Sequence, residues 1–146
     1  MKKIFFAIAA AFVFIPCFAQ NAKDSTDQST QTETRPEHRA EFQGGSTQWI
    51  KYLERNLNHE LGRKYLTIPQ GEKSVKQTVI LIFEIDITGH TSHITVENLK
   101  DVHPELAKES IRIIARSPAW TPASQDGKVV IEKRRQKISF MRSDSF

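Results

Sequence analysis

Cysteine occurs once in the 146 residues, at Cys17. A single thiol closes no disulfide within the chain, and Cys-rich zinc sites need several. Glycine and proline number six each, which excludes a collagen-like or Pro/Gly-rich low-complexity chain. The longest apolar run, residues 4–15, has twelve residues, whereas a membrane-crossing helix needs about 20. There is no Gly-x-Ser-x-Gly elbow and no Gly-rich phosphate loop. What remains is a chain with 38% hydrophobic and 26% charged residues, a net charge of +4, and a length that suits one ordinary domain.

The apolar run has a context. Lys2 and Lys3 precede it, Pro16 breaks it, and Cys17-Phe18-Ala19 puts small residues at the −3 and −1 positions of a cut after Ala19. This is the three-part pattern of a secretory signal peptide over residues 1–19. Pro16, where a small residue would be needed, argues against lipidation at Cys17. Cleavage would remove the one thiol and leave an exported chain without cysteine. Residues 20–41 read as a polar tether: rich in Ser, Thr, Gln and charge, with no Phe, Trp, Tyr, Val, Ile or Leu, they bury too little apolar surface to offset the entropy of ordering. Acidic groups outnumber basic ones in that tether, and the reverse holds afterwards. The folded part is expected over residues 42–142, with a short tail at 143–146.

Within it, Ser46 is placed as the cap of a helix over residues 47–57, with Trp49, Ile50, Leu53 and Leu57 on one face. Residues 62–76 read as loop, with Pro69 and Gly71 as breakers. Residues 78–87 alternate as a strand: Val79, Leu81, Phe83 and Ile85 point one way, Ile80 and Ile82 the other. Apolar residues on both sides predict a central strand covered on two sides. Thr88-Gly89-His90 turns the chain into a second strand over 92–97. His103-Pro104-Glu105 opens a second helix, since proline at the first helical position gives up an N–H that needs no partner. Ser117-Pro118 ends it. A turn at Gln125-Asp126-Gly127 leads into a long last strand over 129–141. The order helix, strand, strand, helix, strand predicts an α+β fold, a three-stranded antiparallel sheet packed on two helices. Trp49 and Trp120 are read as core, with Phe42 in the cluster of Trp120.

Few residues carry signatures of chemistry. His59-Glu60-Leu61-Gly62-Arg63 has Arg63 where a His-Glu-x-x-His zinc motif needs its second imidazole. His90 and His93 lack a third nearby ligand. Glu84 and Asp86 read as a solvated strand end rather than a catalytic pair, because nothing apolar is placed to raise either pKa. No cofactor, metal or catalytic residue is therefore assigned. The last strand says more. Lys133-Arg134-Arg135-Gln136-Lys137 puts positive charge on both faces, which a central strand would have to bury at great cost. It belongs at a sheet edge, either guarding it against unwanted pairing or docking an extended, acidic partner. Nucleic acid is discounted: no aromatic platform interleaves the charges, and export would separate the chain from it.

Several short motifs occur in an order that resembles the C-terminal domain of TonB-type energy transducers. These are Glu41-Phe42-Gln43-Gly44-Gly45; residues 49–58 with their Asn-Leu exit; Phe83-Glu84-Ile85-Asp86 followed by Gly89; and the stretch from His103-Pro104 through Ser117-Pro118-Ala119-Trp120-Thr121-Pro122. Asp126-Gly127-Lys128-Val129 resembles the family's final turn. The resemblance spans about residues 41–141. It departs where His59-Glu60 stands in place of Tyr-Pro, where residues 62–77 run longer, and in having no Pro-rich spacer. It implies a periplasmic, non-enzymatic binding module of the cell envelope, whose last strand pairs with a segment of an outer-membrane TonB-dependent receptor or another envelope protein. The residues placed at that contact are Val129, Ile131, Lys133, Arg134, Arg135, Gln136 and Lys137, with Asn58 and His59 beside them. A homodimer through the last strand is a further expectation. If residues 1–19 were retained as an anchor, the alternative is a minimal transducer for transmembrane transport at the inner membrane. A metal-dependent hydrolase using the histidines is the third reading.

Overall fold

The last strand does lie at a sheet edge, and the route by which the chain gets there differs in several places from expectation. The computed structural model describes residues 35–144. The expected signal segment and residues 20–34 of the tether lie outside them.

The centre is an antiparallel sheet in the order β3-β2-β7, formed by Thr91–Val96, Ser74–Ile85 and Glu132–Ser143. Strict alternation on β2 decides its orientation. Val79, Leu81, Phe83 and Ile85 are fully buried, and Ile138 and Phe140 of β7 join them on the same side. The helices α1 (Gly45–Asn56) and α3 (Pro104–Ala115) supply the rest of that core through Trp49, Leu106, Ala107 and Ile114. Pro104 occupies the first turn of α3, and His103 Nδ1 accepts the Glu105 N–H at 3.2 Å as its cap. The fold class is thus the expected one, α+β around a three-stranded antiparallel sheet.

The opposite side of β2 corrects one expectation. Ile80 and Ile82 are only partly buried among charged neighbours, so the sheet is covered on one side, as antiparallel sheets commonly are. Residues 62–76 are not a loop throughout: a short helix, α2 (Glu60–Tyr65), runs through Gly62, where the loop was expected to begin, and β2 already begins at Ser74. The cap of α1 is Gly44, in the left-handed region at φ 80°, rather than Ser46. The long last strand is divided. Lys128–Val130 (β6) pairs with Ala123–Gln125 (β5) in a hairpin, Ile131 breaks the line, and β7 then runs to Ser143.

The start of the folded part also moves. Composition placed the tether up to residue 41, but His38 and Ser124 exchange two backbone hydrogen bonds and Ala40 is buried. Glu41–Phe42 (β1) then pairs with Trp120–Thr121 (β4). That pairing delivers Phe42 into an aromatic cluster, 5.1 Å from Trp49 and 5.4 Å from Trp120 between ring centres. Both tryptophans are core residues, as read from the sequence.

Candidate functional site

Backbone geometry singles out one side of β7. In an antiparallel pair, alternate residues turn their N–H and C=O toward the partner strand and the others turn theirs away. The even-numbered residues 78, 80 and 82 of β2 give backbone groups to the β3 side, where Asn98, Glu97 and Thr95 bond them. The odd-numbered residues of β2 therefore face β7, where Leu81 lies opposite Gln136 and Phe83 opposite Arg134. It follows that Lys133, Arg135, Lys137, Ser139 and Met141 point their backbone groups outward. No strand lies beyond them among the described residues.

The side chains of these odd residues rise from the uncovered face. Arg135 grips Glu97 through Nε at 3.0 Å and Nη2 at 2.6 Å. Lys133 sits opposite Glu84, but that carboxylate is 3.0 Å from His93 Nδ1. Among the described residues neither Lys133 nor Lys137 has a carboxylate at ion-pair distance.

The even-numbered residues point the other way, and they behave differently. Glu132 is 4% exposed and accepts Arg39 Nε at 2.7 Å and the Ala40 N–H at 2.6 Å. Arg134 Nη1 donates to the Ala40 carbonyl at 2.9 Å, and its guanidinium lies 5.3 Å from the Trp120 ring centre. Burial pushes the Arg134 pKa down from its ordinary value, opposed by the Glu132 carboxylate. Arg134 therefore holds the N-terminal segment to the core and is not a free contact on the edge. Gln136 accepts the Trp49 indole N–H at 2.9 Å and donates to the carbonyl of Lys137 at 2.8 Å, which covers one outward acceptor.

Both ends of the edge are closed. At one end, Val129 pairs within the β5–β6 hairpin and Ile131 stands between strands; both are exposed but neither belongs to β7. At the other end α2 presses on Met141. A Cβ on Gly62 would stand 2.6 Å from the Met141 carbonyl oxygen, so this approach requires glycine. Arg142 Nη1 fastens the contact by donating to Leu66 O at 2.8 Å and Arg63 O at 3.3 Å. Asn58 and His59 lie at this closed end. The Asn58 side chain caps α2 by accepting the Glu60 N–H at 3.2 Å, and its own N–H goes to Glu109 Oε1 at 3.0 Å. Glu109 is in turn forked by Arg112 at 2.7 Å. Those Arg112 hydrogen bonds, with help from the Asn58 N–H, hold the Glu109 carboxyl below its ordinary range against the opposing effect of burial. His59 lines a cavity of about 290 Å³ with Arg63, Met141 and Ser143.

Of the contact residues expected from sequence, the structure brings Lys133, Arg135 and Lys137 onto one open edge. It turns Arg134 and Gln136 inward and distributes Val129, Ile131, Asn58 and His59 to the ends. Sequence reasoning missed Glu132. Its place in phase with Ile138 and Phe140 was the available sign that a carboxylate would be buried there.

Elsewhere the polar residues have local tasks. Asp86 Oδ1 takes the N–H groups of Thr88 and His90 at 2.8 and 3.0 Å and closes the β2–β3 turn. The Thr88 hydroxyl and these N–H groups keep the Asp86 carboxyl below its usual range. Glu84 faces His93 instead, so the two carboxylates do not form a pair. Among the described residues no three His, Asp or Glu side chains gather as a metal site, and no helix is long and apolar enough to cross a membrane. Comparison of the chain with protein-family models, with curated proteins and with solved structures finds no match.

Proposed function

We propose that the protein is a recognition module of the TonB C-terminal kind, which works in the periplasm by adding an extended segment of an outer-membrane receptor or other envelope protein to the outer edge of β7. The observation that carries this reading is the row of outward backbone groups at residues 133–139, at an edge that no other described strand occupies. Strand addition needs such a row for affinity and takes its specificity from alternate side chains. The order of motifs from Glu41 to Met141 supports the family assignment, and the signal-like pattern of residues 1–19 supports export. In this reading an incoming N–H displaces the Gln136 amide from the Lys137 carbonyl.

Site-specific photocrosslinking in the native cell envelope tests the proposal. A crosslinker at Ser139 should form an adduct with a periplasm-facing extended segment of an outer-membrane protein. The same group at the exposed Lys100, which follows β3 at the opposite edge of the sheet, should not. Equal labelling from both positions, or adducts confined to soluble proteins, would overturn it.

A further inference from the structure

The open edge is short, and its charges are arranged on one side only. It begins after the break at Ile131 and ends where α2 meets Met141. Between these limits the outward residues are Lys133, Arg135, Lys137 and Ser139. At about 3.4 Å per residue, this stretch spans only about 20 Å, enough for an added strand of about seven residues. Three of the four outward residues are cationic, and all three side chains stand on the uncovered face. Cross-strand neighbours on one face interact directly, and opposite charges there stabilise the pair.

Resting on the strand-addition reading above, we infer that the partner segment is acidic in a particular pattern: about seven extended residues with carboxylates at every second position. Those carboxylates face Lys133, Arg135 and Lys137 across the new pairing, while the residues between them face the side of Gln136 and Trp49. Lys133 and Lys137 have no ion-pair partner among the described residues, so they are the two groups that gain most. Arg135 already holds Glu97 and contributes less.

The same arrangement disfavours a second copy of this chain as occupant. Two β7 strands paired antiparallel about Arg135 would set Arg135 against Arg135 and Lys133 against Lys137. Like charges directly opposite destabilise a pair. Homodimerisation through β7 would therefore bring together six cationic groups that the acidic segment neutralises instead.

The probes are acetylated eight-residue peptides of Glu, Thr and Val. One has Glu at positions 2, 4 and 6, a second has the same composition with its three Glu consecutive, and a third replaces Glu by Gln. Binding is read by titration, and its place by amide hydrogen exchange. The alternating peptide should bind at least about tenfold more tightly than either control. It should protect the amides of Lys133, Arg135, Lys137 and Ser139. Lys133→Glu with Lys137→Glu should remove that preference, whereas Lys128→Glu with Lys100→Glu, the same charge change away from β7, should keep it. If all three peptides protect the edge equally, the acidic pattern is wrong while strand addition stands. If none protects it, both readings fall. Equal binding of the alternating and consecutive peptides without edge protection would show attraction by net charge alone and overturn the inference. So would β7-edge protection that appears with protein concentration alone, which would make a second copy the occupant.

Discussion

The two halves of β7 belong to one strand, pair with one partner strand, and have different roles. From Phe140 onward the strand is locked: Phe140 is in the core, Gly62 admits the Met141 backbone, and Arg142 holds the end of α2. Before Phe140 the inward residues are engaged with the body of the fold, and of the outward cations only Arg135 holds a carboxylate among the described residues, that of Glu97 on the uncovered face. Glu132, Arg134 and Gln136 tie β7 to the N-terminal segment and to α1, while their odd-numbered neighbours leave the edge open. The difference shows that an edge strand need not be guarded along its whole length. Helix α2 closes one half sterically, and Lys and Arg blunt the other by charge. A charge guard, unlike a steric one, admits a partner of the right sign.

Three substitutions would break or sharpen this contrast. The largest effect is expected in the locked half. Phe140→Ala removes a ring that is 1% exposed, and should cost about 3–5 kcal/mol in chemical denaturation. A loss below about 1 kcal/mol would show that this half is not packed as described. Gly62→Ala comes next. The new methyl would press on the Met141 carbonyl, and the overpacking should cost about 1–3 kcal/mol. Hydrogen exchange would localise the damage to α2 and residues 140–143. Unchanged stability and exchange would mean that α2 does not close the edge.

Glu109→Gln is the mildest and depends on pH. It loosens the joint at Asn58 through which α3 holds the start of α2, at about 1–2 kcal/mol near neutral pH. The folded-state pKa of Glu109 lies below its ordinary value, chiefly through Arg112. Its ionisation therefore stabilises the fold above the unfolded-state pKa of about 4.3, and that contribution is lost as pH falls through the lower folded-state value. The gap in melting temperature between native and variant proteins should be widest near neutral pH and close below about pH 4. A gap that widens on acidification would contradict the assignment.

What was legible in the sequence followed from local periodicity. Val79 to Ile85 alternate, Pro104 announces α3, and the clustered charge of residues 133–137 locates an edge strand. What was not legible depends on distant partners. Gly62 was read as the first residue of a loop, yet its missing Cβ is what lets α2 approach a strand almost 80 residues later in the chain. Arg134 and Arg135 looked equivalent. Their roles separate only because Ala40 and Trp120 lie on one side of β7 and Glu97 on the other. Residues 38–41 looked like tether because their order comes from Ser124, Glu132 and Thr121 rather than from apolar content of their own. The break at Ile131 carries neither proline nor glycine to mark it.

The attachment of that N-terminal segment has a mechanical consequence. Tension applied to the chain ahead of residue 37 first meets the hydrogen bond from the Glu37 N–H to Gln125, next those between His38 and Ser124, then the Glu132 carboxylate that holds Arg39 and Ala40. Glu132 is the first residue of β7. A load entering from the N-terminal side thus reaches the strand with the open edge directly, without passing through α1, α3 or the interior of the sheet. Point of pull and point of grip are joined by two neighbouring side chains of β7, Glu132 and Arg134, so removing the Glu132 carboxylate would weaken that coupling while leaving the edge itself in place.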